Sequence, residues 1–394
     1  MPRKASTKRN SPPKVALLIE TSNAYARGLL RGIEDYILAH GPWNVYLGEQ
    51  GRGDTPPEWL ATWDGDGVIA RIENDAIARS LPKLRVPIVD VSAPRLVPLS
   101  PTVTPDNVAI ARLAVQHFTE RGFRHFAYCG EDRFAWSIQR GEAFSLFVRS
   151  SGYECSIYEQ PKPQTNNETE IDRIGKWLRT LPKPVAVFCS YDAHGQRVLN
   201  ACRRVGLAVP EEVAVLGVDN DELLCALSPP PLSSIALNAQ RGGWEAAAML
   251  AVMMKGGKVA PDIHRVAPLG IITRLSTDVL AVDDPPLSHA LRYIREHACE
   301  GIGIGDVLQH CPMARRNLEV RLKALLGRTP REEITRVQIQ RVKDLLTGTK
   351  LSLGEIADRT GFKHVEYMTV VFKRECGQPP STFRQGGRAA GRQG

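Results

Sequence analysis

The run Val213-Ala-Val-Leu-Gly-Val-Asp-Asn220 is six apolar or glycine residues closed by two polar ones. An unbroken apolar run of this length, without alternation, suits a strand buried on both faces. Similar short runs flank it: Val15-Ala-Leu-Leu-Ile19, 44–48, Gly67-Val-Ile-Ala70, Val86-Pro-Ile-Val89, Phe126-Ala-Tyr-Cys129, Cys155-Ser-Ile-Tyr158, Val185-Ala-Val-Phe188 and a strand near Ser234 and Ile235. Between them lie helical patterns at 26–40, 59–63, 75–84, 108–121, 139–150, 170–180, 195–205 and 242–255. Strands alternating with helices predict an α/β fold with parallel sheets covered on both faces. The strands are too many for one sheet. Two doubly wound lobes are therefore expected, one from about 15–104 and 236–262, the other from about 105–235 and 263–282.

Small ligands bind such sheets outside the carboxyl ends of the strands. The polar residues just past the strands are thus candidate ligands: Asn23, Asp106, Trp136, Arg140, Asp192, Asp219 and Gln240. Carboxylates, amides and a guanidinium suit a polyol, whose hydroxyls both donate and accept. An indole ring can cover the apolar face of a sugar. For each residue alone the plainer reading is a helix cap or turn former. No glycine-rich phosphate loop follows the first strand and no G-x-x-x-x-G-K-[ST] occurs, so no cofactor is expected.

Charge divides the chain. Residues 286–394 hold 19 Lys and Arg against 11 Asp and Glu, while the first 285 residues hold 32 of each. A basic segment behind a neutral one points to a polyanion, nucleic acid first. Asp283-Asp-Pro-Pro286 reads as a linker, placed at 283–287. Beyond it the pattern is all helical and repeats. Ile304, Val307, Leu308 and Met313 match Leu353, Ile356, Ala357 and Phe362 at an offset of 49. Leu318, Leu322, Lys323, Gly327 and Pro330 match Met368, Phe372, Lys373, Gly377 and Pro380 at an offset of 50. Each block reads as a short helix, a turn and a longer helix, with a connecting helix over 331–346. Two helix-turn-helix motifs follow, whose second helices enter the major groove N-terminus first. Arg315, Arg316, Asn317 and Arg321 are the candidate DNA contacts of the first motif. Lys363, His364 and Glu366 serve the second, with Lys373 and Arg374 placed toward phosphate. Gly361 can take the positive φ of the second turn. Pro312 holds that place in the first, which predicts an altered turn there.

On Arg140-Gly141 with Phe144, Tyr191-Asp192-Ala193 and Val215-Leu-Gly-Val-Asp-Asn220, the segment 15–282 resembles the sugar-binding core of LacI/GalR-type regulators and periplasmic sugar-binding proteins. The resemblance implies sugar contacts for Arg140 and Asp219. Tyr191 departs from the asparagine common there, and the 14 residues before the first strand are too few for that family's helix-turn-helix. On Ile356-Ala357, Gly361-Phe362, Phe372-Lys373, Gly377, Pro380 and Phe383-Arg384, residues 288–386 resemble the AraC/XylS-type DNA-binding domain. The combination resembles bacterial xylose-responsive activators over nearly the whole chain. It implies double-stranded operator DNA, a small sugar such as D-xylose, RNA polymerase and a second copy in a homodimer as partners.

The basic arm 1–14 and the tail 387–394 are read as disordered. No apolar run is long enough to span a membrane and no export signal follows the arm, which predicts a cytoplasmic protein without membrane contact. The eight scattered cysteines carry no metal spacing. An enzyme using Asp106 with Asp192 or Asp219, or His194 as base, is the rival reading. No nucleophile stands at a recognisable spacing from these groups, so a non-enzymatic regulator is expected. Another pentose or sugar as effector is the nearer alternative.

Overall fold

The computed structural model describes residues 11–158, 169–278, 284–349 and 351–384. The chain forms two compact units, divided at residue 279. Residues 1–10 of the expected arm, residue 283 of the expected linker and the tail 387–394 lie outside the described residues.

The first unit holds two six-stranded sheets. Lobe 1 contains β1 (Lys14–Leu18), β2 (Asn44–Leu47), β3 (Gly67–Ala70), β4 (Ile88–Asp90), β5 (Thr102–Pro105) and, added last, β11 (Ile263–Val266). Its order is β11-β5-β4-β3-β1-β2, all parallel. Lobe 2 contains β6 (His125–Cys129), β7 (Cys155–Ile157), β8 (Val185–Cys189), β9 (Val213–Val218), β10 (Ser233–Ala236) and β12 (Gly270–Ile272). Its order is β12-β10-β9-β8-β6-β7, with only β12 antiparallel. Every residue of β8 and β9 is buried, which is why their sequences are unbroken apolar runs.

The expected lobe boundary at 262 is corrected here. Residues 263–266 pair with β5 in lobe 1, and only β12 returns to lobe 2. The chain thus passes between lobes three times, after β5, after β10 and after β11.

Helices cover both sheets: α1 (Ala24–His40), α2 (Asp75–Ser80), α3 (Asn107–Thr119), α4 (Ala135–Ser150), α5 (Glu170–Thr180), α6 (Asp192–Val205), α7 (Glu222–Leu227) and α8 (Ala239–Met254). In lobe 1, α1 and α8 touch backbone to backbone. A Cβ on Gly32 would collide with the Gln240 carbonyl, and one on Gly243 with that of Leu29. Leu29, Ile33, Ala246, Ala247 and Leu250 close that core over β1 and β3.

The second unit is all helical: α9 (Pro285–His297), α10 (Ile304–His310), α11 (Arg315–Leu326), α12 (Pro330–Gly348), α13 (Leu353–Arg359) and α14 (Val365–Cys376). Pro285 and Pro286, expected in the linker, begin α9. Proline fits the first helical turn, where its missing N–H is not needed, and Asp284 caps it by accepting from Leu287 N. Helix α12 serves two cores. Ile334 and Val337 pack with Leu291, Ile294, Val307, Leu318 and Leu322. Ile339, Val342, Leu345 and Leu346 pack with Ile356, Phe362, Met368 and Phe372. Buried Glu333 on α12 pairs with Arg328 at 2.5 Å and Arg336 at 2.9 Å.

The two turns differ. Gly361 sits at φ +73° between α13 and α14. After α10 the chain instead leaves through extended Cys311 before Pro312. Arg384 donates to the Leu351 carbonyl, which ties the segment after α14 to the chain just before α13.

Candidate effector cleft and nucleic-acid interface

Between the lobes lies a cleft with about 370 Å³ of empty space, continuous with solvent. Lobe 1 and the first crossing supply Tyr25, Arg52, Arg71, Val91, Ser92, Ala93, Thr104 and Pro105, and lobe 2 supplies Trp136, Arg140 and Asp219. Three of the seven expected ligands therefore come together here. Asp219 is displayed by backbone geometry: it takes φ +105° directly after β9, with Asn220 at φ +50°. Burial raises its carboxyl pKa, while Arg140, Arg52 and Arg71 pull it back. Arg140 is buried, with Nε donating to Asn107 Oδ1 at 2.9 Å and Nη1 to the Ser190 carbonyl at 2.5 Å. Those two bonds fix its fork toward the cleft. Trp136 stacks on Phe134, meets Tyr191 edge-on and lies 5.1 Å from the Arg140 guanidinium carbon.

The other four expected ligands are used differently. Asn23 caps α1 through Ala26 N, and Asp106 caps α3 through Val108 N and Ala109 N. Asp192 is buried and ties strand ends together, accepting from Ser234 Oγ at 2.5 Å and Asp221 N at 2.6 Å. Burial, then the neighbouring Asp219 charge, holds its carboxyl well above the usual range. Gln240 lies exposed on α8 and donates to Asp35 of α1, because Asn238, not Gln240, occupies the cap after β10. None of the four lines the cleft. His194 is buried, 3.2 Å from Glu131 Oε1 and 3.1 Å from Ser190 Oγ.

Sequence reasoning missed Tyr25, Arg52, Arg71, Ser92 and Thr104. Arg71 was findable, being the first residue past β3. It is buried between Glu20 at 3.0 Å and Glu73 at 2.5 Å. Burial opposes its charge, but the two carboxylates outweigh that and raise its pKa. Arg52 comes from the loop after β2 and lies over the Tyr191 ring at 4.4 Å and the Trp136 ring at 5.1 Å. It gives no sequence signal.

In the second unit the expected DNA contacts are all exposed. Arg316 and Asn317 stand in the first turn of α11, Lys363 and His364 just before α14, and Glu366 and Lys373 along it. Arg315 pairs with Glu319, Arg374 with Glu375 and Arg321 with Asp284, the cap of α9. Such exposed pairs are worth about 0–1 kcal/mol and are easily exchanged for phosphate.

Residues 14–99 match the XylR N-terminal domain model, residues 115–277 the periplasmic binding protein-like domain and residues 309–386 a helix-turn-helix domain. Fold and matched domains together define a helix-turn-helix transcription regulator with a periplasmic-binding-protein-like sensor ahead of its DNA-binding domain. The chain is 32% identical over 382 residues to the xylose operon regulatory protein of Escherichia coli strain K12, covering 94% of this chain and 96% of that one. It is 31% identical to the Haemophilus influenzae protein of the same name, covering 94% and 98%. The solved structure of the xylose-binding transcription activator xylR matches with a TM-score of 0.82 at 30% identity, covering 95% of this chain and 98% of that one. The chain belongs to the xylose operon regulatory protein family. A LacI-type regulator from Alkaliphilus metalliredigens QYMF complexed with D-xylulofuranose shares the sensor fold, with a TM-score of 0.55 at 19% identity over 67% of this chain and 98% of that one.

Proposed function

We propose that the cleft binds D-xylose and that the loaded protein activates genes for xylose uptake and catabolism. It would act in the cytoplasm as a homodimer on operator DNA, recruiting RNA polymerase. The carrying observation is the charge balance of the cleft. Of the three arginines on its lining, Arg71 is already held by Glu20 and Glu73, which stand behind the wall, and Asp219 on the lining offsets Arg140 and Arg52. A balanced, donor-and-acceptor-rich wall beside an indole suits a neutral polyol better than a phosphorylated one. Arg140 and Asp219 would bond hydroxyls and Trp136 would cover the C–H face. The sugar would favour one closure of the lobes, with leverage limited to its differential affinity for the two states. Arg316, Asn317, Lys363 and His364 would contact base edges, and Lys373, Arg374 and Arg315 the phosphates.

All six tryptophans lie in the first unit, and Trp136 lines the cleft. Fluorescence titration and calorimetry with D-xylose, L-arabinose, D-glucose and xylose 5-phosphate test the reading. Saturable heat with D-xylose and none with the phosphate is expected. No heat with any pentose would remove the sensor assignment.

A further inference from the structure

The second helices of the two motifs share more than core positions. The offset of 50 that aligns Leu318 with Met368 and Leu322 with Phe372 also pairs their outward residues. Asn317 aligns with Tyr367, Val320 with Val370 and Lys323 with Lys373. Among the described residues of the second unit, the exposed large apolar side chains are Val320 at 60%, Tyr367 at 52% and Val370 at 66%. All three lie on α11 or α14, on the face opposite the buried Leu318, Leu322, Met368 and Phe372.

A lone exposed valine needs no explanation. Two at one repeat position, in a basic domain that otherwise buries its large aliphatic side chains, do. Each stands one turn beyond the polar residues that open its helix and one turn before an exposed lysine, Lys323 or Lys373. The stripe therefore runs polar, aliphatic, cationic along each helix. In a major groove the polar start meets base edges and the cation meets phosphate. The aliphatic centre has one apolar partner on the floor of that groove, the C5-methyl of thymine.

We infer that Val320 and Val370 each read a thymine methyl, one in each major-groove contact of a protomer, and so set specificity at two equivalent positions of each operator half-site. This rests on the proposed DNA reading of α11 and α14. Tyr367 flanks the second contact, where the first motif has Asn317, so the two sites share the thymine but differ beside it.

The test uses the full-length protein with D-xylose and a duplex selected from a random pool. Each thymine of the selected site is replaced in turn by deoxyuridine, which removes only the methyl. Two replacements in each half-site should each weaken retardation about fourfold, the effect of losing one buried methyl-sized group. In each half-site, Val320→Ala should abolish the sensitivity at one of them and Val370→Ala at the other. Both variants should keep the parent melting profile, since exposed alanine favours helix. If no deoxyuridine changes affinity, or if each variant loses equally on thymine and uracil duplexes, the inference is overturned. Failure to select any duplex would instead refute the DNA reading on which it rests.

Discussion

Replacing Asp219 by asparagine separates the charge of the cleft from its shape. Asparagine is isosteric and tolerates positive φ at least as well as aspartate, so the strained turn after β9 is kept. What disappears is a carboxylate among Arg140, Arg52 and Arg71, the three cations that favour its ionised form. A hydrogen bond to a charged group is worth about 1.5–3 kcal/mol, which corresponds to a Kd about 10- to 150-fold weaker. Because the amide keeps one acceptor, the low end, about tenfold, is the expected loss for D-xylose by calorimetry. Gln240→Ala serves as the control, since that side chain bonds Asp35 away from the cleft. If Asp219→Asn binds within twofold of the parent, or if Gln240→Ala costs as much, Asp219 does not hold the sugar as argued.

The DNA-binding unit offers two stability tests. Glu333→Gln leaves Arg328 and Arg336 facing a neutral amide in a buried site, and should cost about 3–5 kcal/mol in the helical unfolding transition followed by circular dichroism. Gly361→Ala puts a Cβ 2.5 Å from Gly301 N at φ +73°. It should cost more than the ~1–2 kcal/mol of a left-handed residue alone, and weaken operator retardation accordingly. In lobe 1, burial pushes the Asp90 carboxyl up to about 7, with the Ser92 hydroxyl and N–H pulling it back. A folded pKa above the unfolded value near 4 means that stability is lost as pH rises from about 4 through 7. Asp90→Asn should therefore gain melting temperature relative to the parent as pH increases from 5 to 8. A constant difference across that range would show that Asp90 does not titrate there.

Much of this architecture was legible because local chemistry specified it. Strands β8 and β9 are apolar throughout since both faces are covered, and the internal repeat survives because Leu318 and Met368, or Leu322 and Phe372, fill equivalent cores. The transfer of residues 263–266 to lobe 1 was not legible. That pairing joins β11 to a strand about 160 residues earlier, and nothing in Ile263–Val266 encodes which sheet it meets. The strand-end rule found Asp219 and, through the helix that follows β6, Trp136 and Arg140. It also collected Asn23, Asp106 and Asp192, because the same short polar side chains that hold a sugar also cap helices and tie loops. Only three dimensions separate those duties. Arg52 was invisible for the opposite reason: its place over Tyr191 and Trp136 is made by a loop of one lobe reaching the aromatic residues of the other.

That reach bears on how a small sugar could govern the protein. Two direct contacts between the lobes among the described residues are weak in kind. Arg27 of α1 meets Asp221 at 3.5 Å with its own side chain half exposed, a contact worth about 0–1 kcal/mol. Arg52 over the aromatic rings adds about 0.5–2 kcal/mol. Together these are smaller than the ~5.5 kcal/mol of differential binding needed to move a two-state equilibrium from 1:99 to 99:1. These two contacts therefore do not by themselves settle closure. A ligand that bonds Arg140 and Asp219 on one side and Arg71 and Thr104 on the other contributes on the same scale, and can decide the state.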